Sequence, residues 1–349
     1  MRIFLIGPSW DTGRWTEYCA DGLRSNGYAV AMYRYSHGLA RPPGLKARLR
    51  RRLLGADQFH LERVFDQLAR DNLGVLKAAV HHRPELTIVL KGEVLLPETI
   101  DRLGRVTDGP IVQWSGDDPT WFPHIVAAAH LYDQFFLADP SYGNDLKRHG
   151  VTAAFLPHAA HLATWRESGV ANEPADVVFV GDARHNMGHL PIDRSRVDIV
   201  EAVARTDVNL AIWGRGWEKL ESRYRARAAH RGLTLLPAAT VATVYRSAKI
   251  VLNIHHAQMH DGPNMRTFEI PAAGAFQLTD YKTRMDQLFN LPTELAVYHD
   301  SNDLLASIQR FLHDSEARRE ITEASRKRVE RDHTYAIRMQ QLVEAAFGG

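Results

Sequence analysis

Short apolar runs alternate with longer amphipathic stretches along almost the whole chain. Residues 2–6 (RIFLI) read as a buried strand that ends at Gly7-Pro8. Trp15, Cys19 and Leu23 then recur at i, i+4 and i+8, which marks one face of a helix. Asn26-Gly27 is a natural stop for it. Further strands are predicted at 28–33, 86–90, 111–114, 134–137 and 153–156, with one or two helices over 59–82 and helices at 97–106, 124–130 and 142–149. This alternation predicts an α/β fold with a parallel, doubly wound sheet.

The polar stretch 167–174 (ESGVANEP) carries Gly and Pro and reads as a linker. The pattern then restarts, with strands at 177–180, 208–213, 250–254 and 275–278. Helices are predicted at 193–205, at 241–248 and near 265–273, and three helical stretches, 302–313, 315–331 and 335–347, finish the chain. The expected organisation is two similar units, 1–168 and 175–333, with the last helix, 334–349, packing back on the first. Two such units joined by a short linker should leave a cleft at the carboxyl ends of their strands, where ligands bind in these folds.

Composition narrows the function classes. The chain has 349 residues, 45% of them hydrophobic and 24% charged, as in an ordinary globular protein. Its 43 Lys and Arg against 41 Asp and Glu leave a net charge of +2, which is no footprint for nucleic-acid binding. One charge run stands out, Lys46, Arg48, Arg50, Arg51 and Arg52. It reads as a solvated face, with an anionic acceptor or a membrane surface as the sharper alternative. Cys19 is the only cysteine, which fits a reducing compartment. No apolar run approaches the roughly 20 residues that span a bilayer. The expectation is a soluble, cytoplasmic protein without stable membrane insertion, its oligomeric state open and a homodimer included.

The segment 252–280 concentrates polar chemistry. A strand runs into a loop holding His255, His256, His260 and Asp261, and Gly262-Pro263 turns the chain. Asn264 suits the N-cap of a helix starting near Met265. Free N–H groups at a helix start favour an anion such as a diphosphate. Arg266 opposes its own helix dipole, which makes sense beside an anionic ligand. Glu269 can accept hydrogen bonds from both hydroxyls of a ribose. Pro271 cannot donate to the carbonyl four residues back, so this helix must be short or kinked. Gly274 fits its C-terminus. The bland alternative is an ordinary strand–loop–helix unit with an internal ion pair.

This stretch resembles the C-terminal signature of GT-B glycosyltransferases, two acidic residues separated by seven, here Asp261 and Glu269. It is most similar to the branch around the spore maturation protein CgeB, through Asn264, Arg266, Phe268, Glu269, Ala272 and Gly274. The similarity extends more weakly over 177–343, through VVFVGD, LAIWGRGWE and VYRSAKIVLNI, and reaches QWSGDDPTWF at 113–122. The resemblance implies two Rossmann-like domains, the first for the acceptor and the second for the donor. It implies a hexosyl or related transferase using a nucleotide-diphosphate sugar as donor substrate, with no further cofactor. Glu269 would bind the ribose and Asp261 the donor sugar. Asn264, Met265 and Arg266 would meet the sugar or diphosphate. Asp261 departs from the commoner Glu. The acidic spacing leans toward a retaining outcome.

Other candidates surround this core. Gly181, Arg184, Gly214, Arg215 and Gly216 follow predicted strands, where glycine admits a phosphate and arginine binds it; His255 lies in the adjoining loop. Gly214-x-Gly216 lacks the third glycine of a dinucleotide fingerprint, which counts against an NAD enzyme. Asp117 and Asp118 are candidates for a catalytic base or for acceptor contacts, with capping around Pro119 as the bland alternative. Trp10, Trp114 and Trp121 are candidates for stacking on a ligand, and His158 and His161 for hinge contacts. The chain has no HExxH and no Asp-x-Asp, which favours chemistry without a bound metal. A GT-B-fold epimerase or phosphorylase, and a non-catalytic sugar-binding or spore-coat-like protein, are the alternatives.

Overall fold

The computed structural model describes residues 1–9, 14–35, 56–167, 174–183, 195–232 and 237–348, with side chains from 64 onward in helix Ala56–His82. Trp10, the charge run 46–52, Arg184 and most of the stretch 167–174 lie outside the described residues.

The chain forms two compact units, Met1–Leu156 with Met339–Gly349, and Pro157–Arg338. Unit 1 holds strands β1 (Arg2–Pro8), β2 (Ala29–Tyr35), β3 (Leu86–Leu90), β4 (Ile111–Ser115), β5 (Gln134–Leu137) and β6 (Ala153–Phe155). They pair in parallel in the order β2-β1-β3-β4-β5-β6. Every residue of β3 and β4 is buried, as expected of a parallel sheet covered on both faces. Phe4, Ile6, Val89, Ile100, Leu103 and Ile111 form part of one core cluster.

Unit 2 holds β7 (Ala175–Val180), β8 (Leu210–Trp213), β9 (His230–Gly232), β10 (Ala248–Asn253), β11 (Gln277–Asp280) and β12 (Ala296–Tyr298). Their order is β12-β11-β10-β7-β8-β9, again all parallel. Its core includes Phe179, Ile212, Trp217, Leu252, Leu278 and Phe311. Full burial of such side chains contributes about 1.5–3 kcal/mol each.

The predicted doubly wound architecture is found in both units. β9 and β12 escape the sequence pattern because three residues at a sheet edge carry no readable period. β11 begins two residues later than expected, because Gly274 and Ala275 close the preceding helix. The chain enters unit 2 ahead of the 167–174 stretch, since residues 157–166 pack there. Trp165 stacks on Tyr245 at 5.9 Å and Arg166 pairs with Glu330 at 2.6 Å. Helix Tyr335–Phe347 gives its first turn to unit 2 and the rest to unit 1. Among the described residues no helix is long and apolar enough to cross a membrane.

Candidate functional site

In unit 2, the strand order reverses between β7 and β10, whose ladder ends at the Leu252–Phe179 pair. Beyond it the connections diverge to opposite sides, and the crevice that such a switch point opens is the usual ligand position in these sheets. The loops after β7, β8 and β10, with the helix that follows β10, carry the predicted donor-site residues.

Gly181 and Gly214 form one side. A Cβ on Gly214 would lie 2.0 Å from the Gly181 carbonyl oxygen, so glycine is required for the two loops to touch. The Gly181 N–H donates to the Trp213 carbonyl at 2.8 Å, and the Trp217 indole donates to the Gly181 carbonyl at 2.8 Å. A Cβ on Gly181 would come within 3.6 Å of the Arg266 guanidinium. Arg266, from the loop–helix after β10, therefore reaches the loop after β7.

Helix Arg266–Ala272 is built around a break. Pro271 leaves the Thr267 carbonyl without its helical donor, and the Gln277 side chain supplies one at 3.3 Å. At the other end Gly274 turns left-handed with φ 75°. Its N–H donates to the Pro271 carbonyl at 2.9 Å, and the Ala275 N–H donates to the Ile270 carbonyl at 3.3 Å. Those two bonds make a Schellman motif. Asn264 accepts from the Thr267 N–H at 3.2 Å, as a capping side chain does, and is bound inward by Asn253. The Asn253 amide donates to Asn264 Oδ1 at 3.1 Å and to Gln277 Oε1 at 3.2 Å, while Asn264 Nδ2 donates to Asn253 Oδ1 at 2.9 Å. The Asn264 side chain is thus part of a buried network, and Met265, half-buried, stands just before the first helical residue.

This network presents two groups. Arg266 makes no hydrogen bond and no salt bridge among the described residues. Glu269 is 8% exposed, and its carboxylate likewise has no partner among them. Burial pushes Glu269 up to about 7, and the Arg266 charge only partly opposes that. Leaving a buried carboxylate unpaired is costly unless a ligand completes it.

His255 is held differently. Its backbone N–H donates to Asp280 Oδ1 at 3.0 Å, and its ring Nδ1 contacts the same oxygen at 2.6 Å. Burial favours the neutral ring. Burial works against the Asp280 carboxylate too, but the His255 bonds and Lys282 at 3.3 Å outweigh it and hold it at about 2. An ionised Asp280 fixes the proton on Nδ1, which turns Nε2 toward the Thr267 hydroxyl at 3.5 Å. His255 is therefore a support under the helix start.

The remaining predicted residues have separate engagements. Asp261 accepts from the Thr283 hydroxyl at 3.0 Å. Arg215 binds Asp182 through Nε at 2.9 Å and its backbone N–H at 2.8 Å, so its guanidinium is already paired. Gly216, left-handed at φ 90°, donates its N–H to Glu218 at 2.8 Å. In unit 1, Asp117 pairs with Lys91, whose φ of 61° is unusual for a side-chain-bearing residue. Burial disfavours the Lys91 ammonium, but Asp117 and Glu93 outweigh it and raise its pKa. Asp118 caps the turn Pro119–Trp121, accepting from the Thr120 N–H at 2.9 Å and hydroxyl at 2.7 Å. Trp114 is wholly buried and donates to the Leu156 carbonyl at 2.9 Å, so it stacks on no ligand. His158 is buried and His161 meets the Thr164 hydroxyl at 2.9 Å.

Asn253, Gln277 and Lys91 carry no local sequence signal for these roles. Asp280 had one weak cue, a carboxylate at the end of a strand in a parallel sheet.

A guanidinium and a buried carboxylate, three positions apart at a switch point and with no hydrogen-bond or salt-bridge partner among the described residues, suit a ligand carrying both an anion and hydroxyl donors. Solved structures with the same architecture extend over the whole chain. Sucrose-phosphate synthase from Thermosynechococcus elongatus is 15% identical with a TM-score of 0.67, covering 100% of this chain and 99% of that one. The lipopolysaccharide outer core galactosyltransferase WaaB, in its apo form, is 13% identical with a TM-score of 0.63, at 100% and 99% coverage. HepE from Anabaena in complex with UDP is 13% identical with a TM-score of 0.58, at 99% coverage of both chains. The fold is thus of the GT-B type, with two parallel α/β units. Residues 194–344, less than half of the chain, match a family model described as glycosyl transferase-like. No match was found among curated proteins.

Proposed function

We propose that the protein is a glycosyltransferase that moves a sugar from a nucleotide-diphosphate sugar to an acceptor. The observation that carries this reading is the pair Arg266 and Glu269, neither with a hydrogen-bond or salt-bridge partner among the described residues. Glu269 accepts the ribose hydroxyls, and Arg266 faces the diphosphate, where negative charge grows as the sugar leaves. Gly181 and Gly214 let backbone approach the anion, and Arg184, outside the described residues, belongs with them in this proposal. Asp261 contacts the donor sugar. The glycosyl transferase-like family match and the UDP and UDP-glucose complexes of HepE support the nucleotide-sugar reading. The CgeB-like affinity of segment 264–274 and a retaining outcome belong to the same proposal.

Unit 1 takes the acceptor. Asp117, ion-paired with Lys91, suits hydrogen bonding to acceptor hydroxyls better than proton abstraction, because a nearby ammonium stabilises the ionised carboxylate. The chemistry is metal-independent, since the chain offers no Asp-x-Asp and Arg266 supplies positive charge.

The test is a thermal-shift and calorimetric screen of UDP, GDP, dTDP and ADP. One of them should bind, and Glu269→Ala should abolish that binding while keeping the fold. Unchanged affinity in the variant sinks the assignment. Turnover should persist in EDTA; a strict divalent-ion requirement refutes the metal-free part alone.

A further inference from the structure

Arg196 lies on helix Ser195–Ala204 and is only 2% exposed. Its guanidinium donates to the Asp182 carbonyl at 3.1 Å and to the Ile254 carbonyl at 2.8 Å. Those carbonyls belong to opposite sides of the unit 2 crevice, one following β7 and one following β10. The backbone ladder between these strands has already ended, so no sheet hydrogen bond joins the two loops there.

The bridge continues on both sides. From Asp182, the Ala183 N–H donates to the Arg215 carbonyl at 2.9 Å, and the Arg215 N–H returns to Asp182 Oδ1 at 2.8 Å. From Ile254, the His255 N–H donates to Asp280 at 3.0 Å. One chain of hydrogen bonds thus ties the ends of β11, β10, β7 and β8, and Arg196 is its link across the crevice. Arg196 also packs over the Phe179 ring at 5.7 Å from its centroid. That same ring sits 2.8 Å from where a Cβ on Gly181 would lie.

We infer that Arg196 is the positioning residue of the anion subsite: it sets the spacing between the Gly181–Asp182 loop and the Ile254–His255 loop, and so the placement of Arg266 against the diphosphate. This rests on the reading of unit 2 as a nucleotide-diphosphate site. A guanidinium suits the role because its rigid fork reaches two carbonyls at fixed angles, which an ammonium cannot reproduce. Arg196 acts on the ligand through the loops, and the ribose, held by Glu269, depends on it far less.

The experiment compares each nucleoside diphosphate, UDP, GDP, dTDP and ADP, with its own nucleoside by calorimetry on the full chain. In the wild type, the diphosphate strengthens binding by a measurable ratio. Arg196→Met should reduce that ratio about tenfold or more while leaving nucleoside affinity nearly unchanged. Arg196→Lys should fall between the two, and it serves as the test if the Met variant does not fold. A folded variant with a lower melting temperature but an unchanged ratio overturns the inference, because that is what a purely structural role predicts. A wild-type protein that binds none of the four diphosphates overturns the nucleotide reading and this inference together.

Discussion

Glu269 couples function to stability at the scale of a single residue. Its carboxyl is raised from 4.5 to about 7 by burial, so the folded protein holds this proton more tightly than the unfolded chain does. For an acid raised on folding, stability is greatest below the unfolded value and is lost as pH climbs through the folded one. Between pH 4.5 and 7 the ligand-free protein should lose about 3 kcal/mol from this group. Glu269→Gln should flatten that slope and stabilise the ligand-free protein at pH 8, as read by urea denaturation. Ribose hydroxyls donate to the ionised form, so nucleotide affinity should weaken as pH drops below about 7. The Gln variant should bind weakly at every pH tested, and a wild-type affinity flat from pH 5 to 8 would contradict the role.

Helix Arg266–Ala272 shows how an element is made from local and distant contributions. Gly274 at its end is left-handed, and a Cβ there meets nothing within 4 Å. Gly274→Ala should therefore cost only about 1 kcal/mol, through backbone strain alone. Gly214→Ala is different, because its Cβ would strike the Gly181 carbonyl. It should displace the loop and abolish nucleotide binding even where the protein folds. Gln277→Leu strips the Thr267 carbonyl of the donor that offsets Pro271, at about 1–3 kcal/mol. Chemical denaturation of the three variants ranks these effects. The motif Asn264, Arg266, Glu269 and Gly274 was legible in the sequence because it is local, as was the break at Pro271. The partners that seat it were not, since Asn253 meets Gln277 across 24 positions and His255 meets Asp280 across 25. Asn264 was legible as a cap, while its amide pairing with Asn253 depends on β10 lying beneath it.

Across the whole molecule, the chain leaves unit 1 at Leu156 and returns to it at Met339. Met339 and Leu342 are fully buried, and Gln134 donates to the Ala345 carbonyl at 2.5 Å. Removing 339–349 should destabilise unit 1 by several kcal/mol, on the order of 1.5–3 for each large apolar side chain lost. Residues 157–338 hold the Arg266–Glu269 site, so the truncated chain should still bind the nucleotide. Thermal melts with and without nucleotide check both statements, and loss of binding on truncation would show that the site needs the returning segment.

The sequence by itself determined two parallel α/β units and the loop–helix that carries Arg266 and Glu269. Periodicity and capping chemistry act within a few residues, so they are written locally. Only the tertiary structure decided that β7 and β10 are neighbours and that Arg266 lies beside Gly181. It also paired Lys91 with Asp117, buried Trp114 and set Arg196 across the crevice. Each of those outcomes depends on strand order, which brings distant positions together through the packing of a whole sheet rather than through any short run of residues.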